Sequence, residues 1–184
     1  MPRIDPVNPA AASGEAKALL DGVQAQFGKV PNIFATFAHS PKALDGFLAI
    51  IASLQRGTLP APLREQIALT VAGISGCDYC ASAHTALGKG AGIDEEELAL
   101  NLRGEATEDE SQAVLTFVRK VTERHGQVDD ADIASLRSAG FADGDIVEII
   151  SHIGINIFTN YFNLIAGTDV DFPRVDTTWA VRVA

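Results

Sequence analysis

Apolar residues recur three and four positions apart along much of the chain, and no segment holds the alternation of a half-buried strand between turn signals. Leu63, Ile67, Val71 and Ile74 form one such stripe and predict a helix over 62–74. Ile146, Ile150, Ile153, Ile157, Tyr161 and Leu164 form another, through a helix over 143–166 that spans roughly 36 Å. This second stripe is expected to face the protomer core. The face opposite starts with Asp145 and Glu148 and continues as His152, Asn156, Thr159, Asn160 and Asn163. A water-facing surface normally carries Lys, Glu or Arg, so these uncharged groups are expected against a neighbouring subunit or a substrate pocket.

Helix punctuation supplies the remaining elements. Pro2, Pro6 and Pro9 mark an extended lead-in, followed by a helix over 13–27 with Gly28 as its stop. A short helix over 31–39 and a longer one over 41–55 follow, the latter with Ser40 as N-cap and Pro41 at the first helical position. After the Gly57–Pro60 break and the 62–74 helix, a segment over 78–89 ends in the Gly-rich Gly88–Gly92. Asp94 caps a short helix ending near Arg103, and its acidic run Asp94–Glu97 reads as a solvated first turn stabilised by the helix dipole. Thr107 and Glu110 read as a capping box opening a helix to His125, with Gly126 as stop, and another helix covers 129–139. His39 and His125 fall at helix ends, where they complement the C-terminal dipole. The expected fold is an all-α compact bundle of about seven or eight helices with a non-helical C-terminal arm over 168–184. The arm's Trp179 is a candidate packing anchor.

Composition narrows the function classes. The length of 184 residues suits one domain with a sizeable core. A net charge of −10 argues against nucleic acid and anionic membrane surfaces as partners. The N-terminus lacks the apolar core of a signal peptide, and no run of about 18 apolar residues suggests a membrane span. The two cysteines, Cys77 and Cys80, stand too close to staple a scaffold, which points to a cytoplasmic protein with a chemical use for thiols.

That use is concentrated in EQIALTVAGISGCDYCASAH, from Glu65 to His84. On one helix Cys77, Cys80 and His84 share a face, and both thiols lie in the first turn, where unpaired N–H groups favour a thiolate. Cys80 is therefore expected to titrate below the free-cysteine value of about 8.5. If the chain reverses at 73–76, an antiparallel helix pair sets Glu65 level with His84. A carboxylate there fixes the imidazole tautomer and raises its basicity, completing a Glu–His–Cys relay. Ala68 and Ala72, on the face of Glu65, permit close helix approach. The pattern also admits a zinc site of Cys77, Cys80 and His84, with Glu65 or His152 as fourth ligand, although structural sites usually draw ligands from separate elements. Inert packing of the cysteines is the third reading. Tyr79 reads as a partly buried aromatic whose hydroxyl can donate to the site.

Glu65, eleven residues, Cys77-x-Tyr79-Cys80, three residues, His84 and a Gly-rich stop together resemble the alkylhydroperoxidase D-like branch of the carboxymuconolactone decarboxylase family. The resemblance covers about 29–167 of one domain spanning 1–184. It includes VPNIFATFAHSPKALDGF and NIFTNYFNLIAG, which are similar to peroxidase-related members. It implies an all-helical fold assembling as trimers or hexamers, and a peroxide-reducing dithiol with no metal, haem or other cofactor. By match to the motif, Cys80 is the peroxidatic thiol, Cys77 the resolving thiol, and Glu65 with His84 the proton relay. The implied partners are a peroxide substrate and an external dithiol reductant, such as a lipoyl-bearing protein. Lactone decarboxylases proper share the fold without the cysteine pair, so decarboxylation with His84 as base stands as the alternative enzyme reading, and a zinc-held structural oligomer as the non-enzyme reading.

Overall fold

The computed structural model describes residues 1–177, which form nine α-helices and no strand. In chain order these are α1 (Gly14–Phe27), α2 (Asn32–Phe37), α3 (Pro41–Leu54), α4 (Ala61–Ser75) and α5 (Asp78–Gly90). They continue as α6 (Glu95–Asn101), α7 (Asp109–Glu123), α8 (Asp130–Ser138) and α9 (Asp143–Ala166). The expected all-α bundle is present, and its nine helices fall on the nine segments read from the sequence, so the expected total of seven or eight was low. Trp179 lies outside the described residues, as does the part of the expected arm over 178–184.

α4 is the central element. Residues from Gln66 to Gly73 are all buried, and the helix packs against α5, α6, α7 and α9. It divides the apolar interior in two. Leu69 and Ala72 join Leu20, Phe34, Phe37, Leu44 and Phe47 on one side, while Leu63, Ile67 and Val71 join Val114, Leu115, Val118 and Ile149 on the other. A helix buried on all sides needs small residues where neighbours come closest. Gly73 is such a place: a Cβ there would collide with the Leu102 carbonyl oxygen.

α9 departs from the expected orientation. Ile146 and Ile153 are buried, but Ile150, Tyr161 and Leu164 are exposed, and His152, Asn156, Thr159, Asn160 and Asn163 turn inward. The polar face is thus the inner one, and Val147, Ile150, Phe158, Tyr161, Leu164 and Ile165 lie exposed on the outer face. Periodicity alone reports that a helix has two faces; cavity chemistry decided which one was buried. The last carbonyls of α9 are capped by the lead-in, since Arg3 Nη1 donates to Leu164 O at 2.6 Å and its backbone N–H to Ala166 O at 2.7 Å.

Several local expectations change. Thr107 is not an N-cap: Glu108 holds that position, and the Thr107 hydroxyl donates to Glu97 Oε2 at 2.8 Å. Glu97 also accepts from Gln66 and Asn101, so one member of the acidic run stitches α4, α6 and the start of α7 rather than facing water. Asp94 does cap α6, accepting the Glu97 N–H at 2.8 Å. His39 shares a hydrogen bond with the Asp5 carbonyl at 2.9 Å, which pins the lead-in rather than serving the helix dipole.

The arm is non-helical from 168 to 177, and its contacts are specific. Asp78 accepts from Arg174 at 2.8 Å, from the Thr177 hydroxyl at 2.8 Å and from the Thr177 N–H at 3.0 Å. Lys29 Nζ donates to the Asp171 carbonyl at 2.7 Å, and the Phe172 ring meets Tyr79 edge-on at 5.8 Å. Among the described residues no helix is long and apolar enough to cross a membrane.

Gly73→Ala should lower the thermal midpoint strongly, by an overpacking cost of about 2 kcal/mol. Gly46→Ala, on exposed α3 with open space around its Cβ, should instead raise stability by about 0.5–1 kcal/mol. Calorimetric melts of both variants check the contrast, and equal effects would remove the close-approach account of α4.

Candidate active site

The site starts from a one-residue reversal. Gly76 ends α4 in the left-handed region at φ 66°, and Cys77 N–H bonds back to Ala72 O at 3.1 Å. Cys77 therefore becomes the N-cap of α5 and Cys80 the third helical residue. The Cys80 backbone N–H donates to Cys77 Sγ at 3.3 Å, and the two sulfurs lie in hydrogen-bonded contact at 2.7 Å. Both residues are buried, and Cys80 also accepts from Asn163 Nδ2 at 3.3 Å across from α9.

The two thiols are electrostatically unequal. Contact with the Cys80 thiol, backed by the N–H groups of Cys80 and Tyr79, holds Cys77 below its ordinary value despite burial. Burial pushes Cys80 well above its ordinary value, and the hydrogen bond and charge of Cys77 reinforce this against Asn163. The expectation of a low Cys80 value is thus reversed. The N-cap position, not helix membership as such, collects the N–H donors, and Cys77 holds it.

Glu65 and His84 meet as the antiparallel geometry requires, with His84 Nδ1–H donating to Glu65 Oε2 at 2.8 Å. Gly88 serves the packing of α6 on α5, since a Cβ on it would sit 2.6 Å from Leu98 Cδ2. Cys80, His84 and Glu65 then line one cavity of about 370 Å³. Phe34, Phe47, Ile51, Leu54 and Phe172 form its apolar wall, and His152, Asn156, Thr159 and Asn163 of α9 form a polar wall. Cys77 is not on the lining, so Cys80 is the sulfur that faces the space.

Tyr79 is structural. It is buried, its hydroxyl accepts the Ile33 N–H at 3.2 Å rather than donating to the thiols, and burial with the Asp171 carboxylate nearby pushes its phenol far up. The zinc reading loses its ligand set, because His84 is engaged by Glu65 and, among the described residues, no three His, Cys, Asp or Glu side chains are grouped to hold a metal ion. Arg64 and Phe172 also line the cavity and were not read from the sequence. The uncharged face of α9 was the available signal for Asn163. Arg64 gave only its adjacency to Glu65, and no local pattern marked Phe172.

A cysteine-pair cap, a histidine–carboxylate couple and an apolar cavity thus stand together on an all-helical frame of the alkylhydroperoxidase-like type. Residues 38–124 match the model of the carboxymuconolactone decarboxylase family, and the resemblance drawn from the motif is borne out. A peroxidase-related protein of Ralstonia eutropha JMP134, described as having an alkylhydroperoxidase AhpD core, is similar at 26% identity and TM-score 0.84. The match covers 92% of each chain. A peroxidase-related protein of Silicibacter sp. TM1040 is 26% identical at TM-score 0.78, over 90% of this chain and 91% of that one. The debrominase Bmp8, in complex with 2,3,4-tribromopyrrole, shares the fold at 17% identity and TM-score 0.77, over 98% and 96% of the two chains. No curated protein matches the chain.

Thiolate absorbance near 240 nm should resolve the inequality of the two thiols. Cys80→Ala removes the main group lowering Cys77, so the remaining midpoint should rise relative to the first midpoint of the wild type. Cys77→Ala removes a hydrogen bond and a charge that raise Cys80, so that midpoint should fall relative to the second wild-type midpoint. Shifts of the opposite sign would place the resting anion on Cys80.

Proposed function

We propose that the protein is a thiol-dependent peroxidase that reduces organic hydroperoxides, with Cys80 as the attacking thiol and Cys77 as the resolving one. The observation that carries this reading is Cys80 Sγ on the cavity wall, touching Cys77 Sγ at 2.7 Å, with the Glu65–His84 pair on the same lining. With Cys77 as its anion, the proton left on the pair sits on Cys80, whose value burial pushes up. Transfer of that proton to Cys77 leaves a Cys80 thiolate steadied by the Asn163 amide. That thiolate attacks the terminal peroxide oxygen, the O–O bond breaks, and the alkoxide takes a proton delivered through the Glu65–His84 couple to leave as the alcohol. Cys77–SH then attacks the sulfur of Cys80–SOH, forming the disulfide and releasing water. Two electrons from an external dithiol restore the pair, and a lipoyl-bearing protein is the reductant the family resemblance suggests. A reducing, cytoplasmic setting suits this cycle, and one domain with its motif-bearing core over about 29–167 suffices to carry it.

The apolar outer face of α9 supports a homo-oligomer, a trimer or hexamer by resemblance, because a continuous exposed stripe of this kind is costly in water. Ile165→Lys should then lower the mass seen by light scattering, and an unchanged mass would leave this face in solvent.

One equivalent of cumene hydroperoxide should consume both thiols as an internal disulfide, seen by mass spectrometry. Cys77→Ser should stop at the sulfenic acid, Cys80→Ser should not react, and His84→Ala should slow turnover on the order of a hundredfold. Thiols indifferent to peroxide would favour the decarboxylase reading, and a single-thiol reaction surviving in Cys80→Ser but lost in Cys77→Ser would exchange the two roles.

A further inference from the structure

Arg64 lies on the cavity lining directly before Glu65, at the start of α4. Among the described residues its guanidinium makes one hydrogen bond, from Nη1 to the Gln55 carbonyl at 3.0 Å, and no ion pair. Five N–H donors are available on such a group, and a cation beside an apolar wall is costly unless an anion meets it. Nearby carboxylates are committed elsewhere: Glu65 accepts from His84, and Glu148 accepts the Thr58 and Leu59 N–H groups. Lys29, also on the lining, is tied to Asp171. His152 adds a second observation. It is 8% exposed, lines the same cavity, and its Nε2 is buried with no hydrogen-bond partner. Burial and the Arg64 charge together hold its ring below the ordinary value, so guanidinium and imidazole work in one electrostatic neighbourhood.

We propose that the cavity selects an amphipathic carboxylate, with Arg64 and the free Nε2 of His152 taking the acid group and Phe34, Phe47, Ile51 and Leu54 taking the hydrocarbon. The inference deepens the peroxidase reading by naming its substrate class, a hydroperoxide of a carboxylic acid. Antiparallel pairing about the turn sets Cys80 level with Leu69, five residues beyond Arg64, or roughly 8 Å along the helix axis. The acid group and the reacting peroxide therefore stand several carbons apart. A second cavity of about 260 Å³ shares Phe27, Phe34, Ile51 and Gln55 with the first and continues the apolar space between α1 and α3 for a longer chain.

Decanoate and decanol test the idea without turnover, by isothermal titration of the full chain near neutral pH. Wild type should bind the carboxylate about tenfold tighter than the alcohol, the worth of one charge-assisted hydrogen-bond pair. Arg64→Gln should bring that ratio to within about twofold. Arg64→Lys should keep part of it, because a point charge remains where the planar fork is lost. A wild-type ratio near one, or a ratio that Arg64→Gln leaves intact, overturns the inference, and the first of these needs no variant to fold. Decanoate selectivity without peroxide-driven thiol loss would keep this inference and remove the peroxidase reading. Thiol loss without the selectivity would do the reverse.

Discussion

Everything at the site depends on the chain reversing at a single left-handed residue, Gly76, between two helices that each need to stay intact up to the turn. An L side chain at φ 66° is strained, so a glycine there fixes where α4 stops and where α5 starts. With the stop fixed, Cys77 has no choice but to cap α5, and the sulfur occupies the place an Asp or Ser oxygen usually fills. The same reversal sets the register of the two helices, so Glu65 and His84 meet although nineteen residues separate them. One backbone constraint thus positions the two thiols at one end of the helix pair and the Glu65–His84 couple a turn or two along it. Any loop long enough to wander at this point would lose both registers together.

The second constraint comes from α9, which supplies polar groups to a space that is otherwise apolar. Asn163 reaches Cys80, and Asn156 and Asn160 satisfy their amide N–H groups on the helix's own carbonyls. An unpaired buried amide costs about 1–3 kcal/mol, and these internal bonds satisfy the N–H side of the face, while Asn160 Oδ1, Asn163 Oδ1 and His152 Nε2 stay without a partner. Phe37 stacks on Phe162 with ring centres 3.7 Å apart, which clamps α9 to α2 and holds the asparagines at the depth of the thiols. The C-terminal arm closes the arrangement from outside. Asp78, adjacent to the capping cysteine, carries the arm on Arg174 and Thr177, so the first turn of α5 is fixed from both sides.

Helix positions were legible because Gly and Pro punctuation is local, and Gly28, Gly76 and Gly167 sit in the left-handed region just beyond their helices. The Glu65–His84 contact was legible for the same reason, since an antiparallel pair joined by a short turn has only one register near its bend. The facing of α9 was legible only in part: its amides line the cavity, one of the two placements expected for them, whereas much of the apolar stripe expected in the core lies outside. Its apolar stripe and its amide face are both plausible interiors by pattern, and only the neighbours that pack on each one decide between them. Arg64 and Phe172 were illegible because they enter the cavity from α4's first turn and from the arm, with nothing in their flanking residues to mark the approach. The false capping box at Thr107 has a related cause: Glu97, ten residues earlier, accepts both the Thr107 hydroxyl and its N–H, which holds the side chain away from the first N–H groups of α7.

The least expected feature is also the one that makes chemical sense of the rest. Helix-terminus donors gather on Cys77, which faces away from the cavity, while burial keeps the proton on Cys80, which faces into it. In the proposed cycle this arrangement leaves no exposed thiolate on the cavity wall at rest, and a thiol is a far weaker nucleophile than its anion. The two sulfurs are close enough for the proton to cross when a substrate excludes water and a peroxide oxygen lies along the line of attack. Once Cys80 is a sulfenic acid, the partner that must displace its oxygen stands beside it, since the two sulfurs are 2.7 Å apart in the reduced pair. Rapid resolution competes directly with further oxidation of the sulfenic acid. The asymmetry set by the burial of Cys80 and by the contacts gathered on Cys77 therefore fits both halves of the proposed cycle: it quiets the attacking sulfur before substrate arrives, and it keeps the resolving sulfur at hand afterwards.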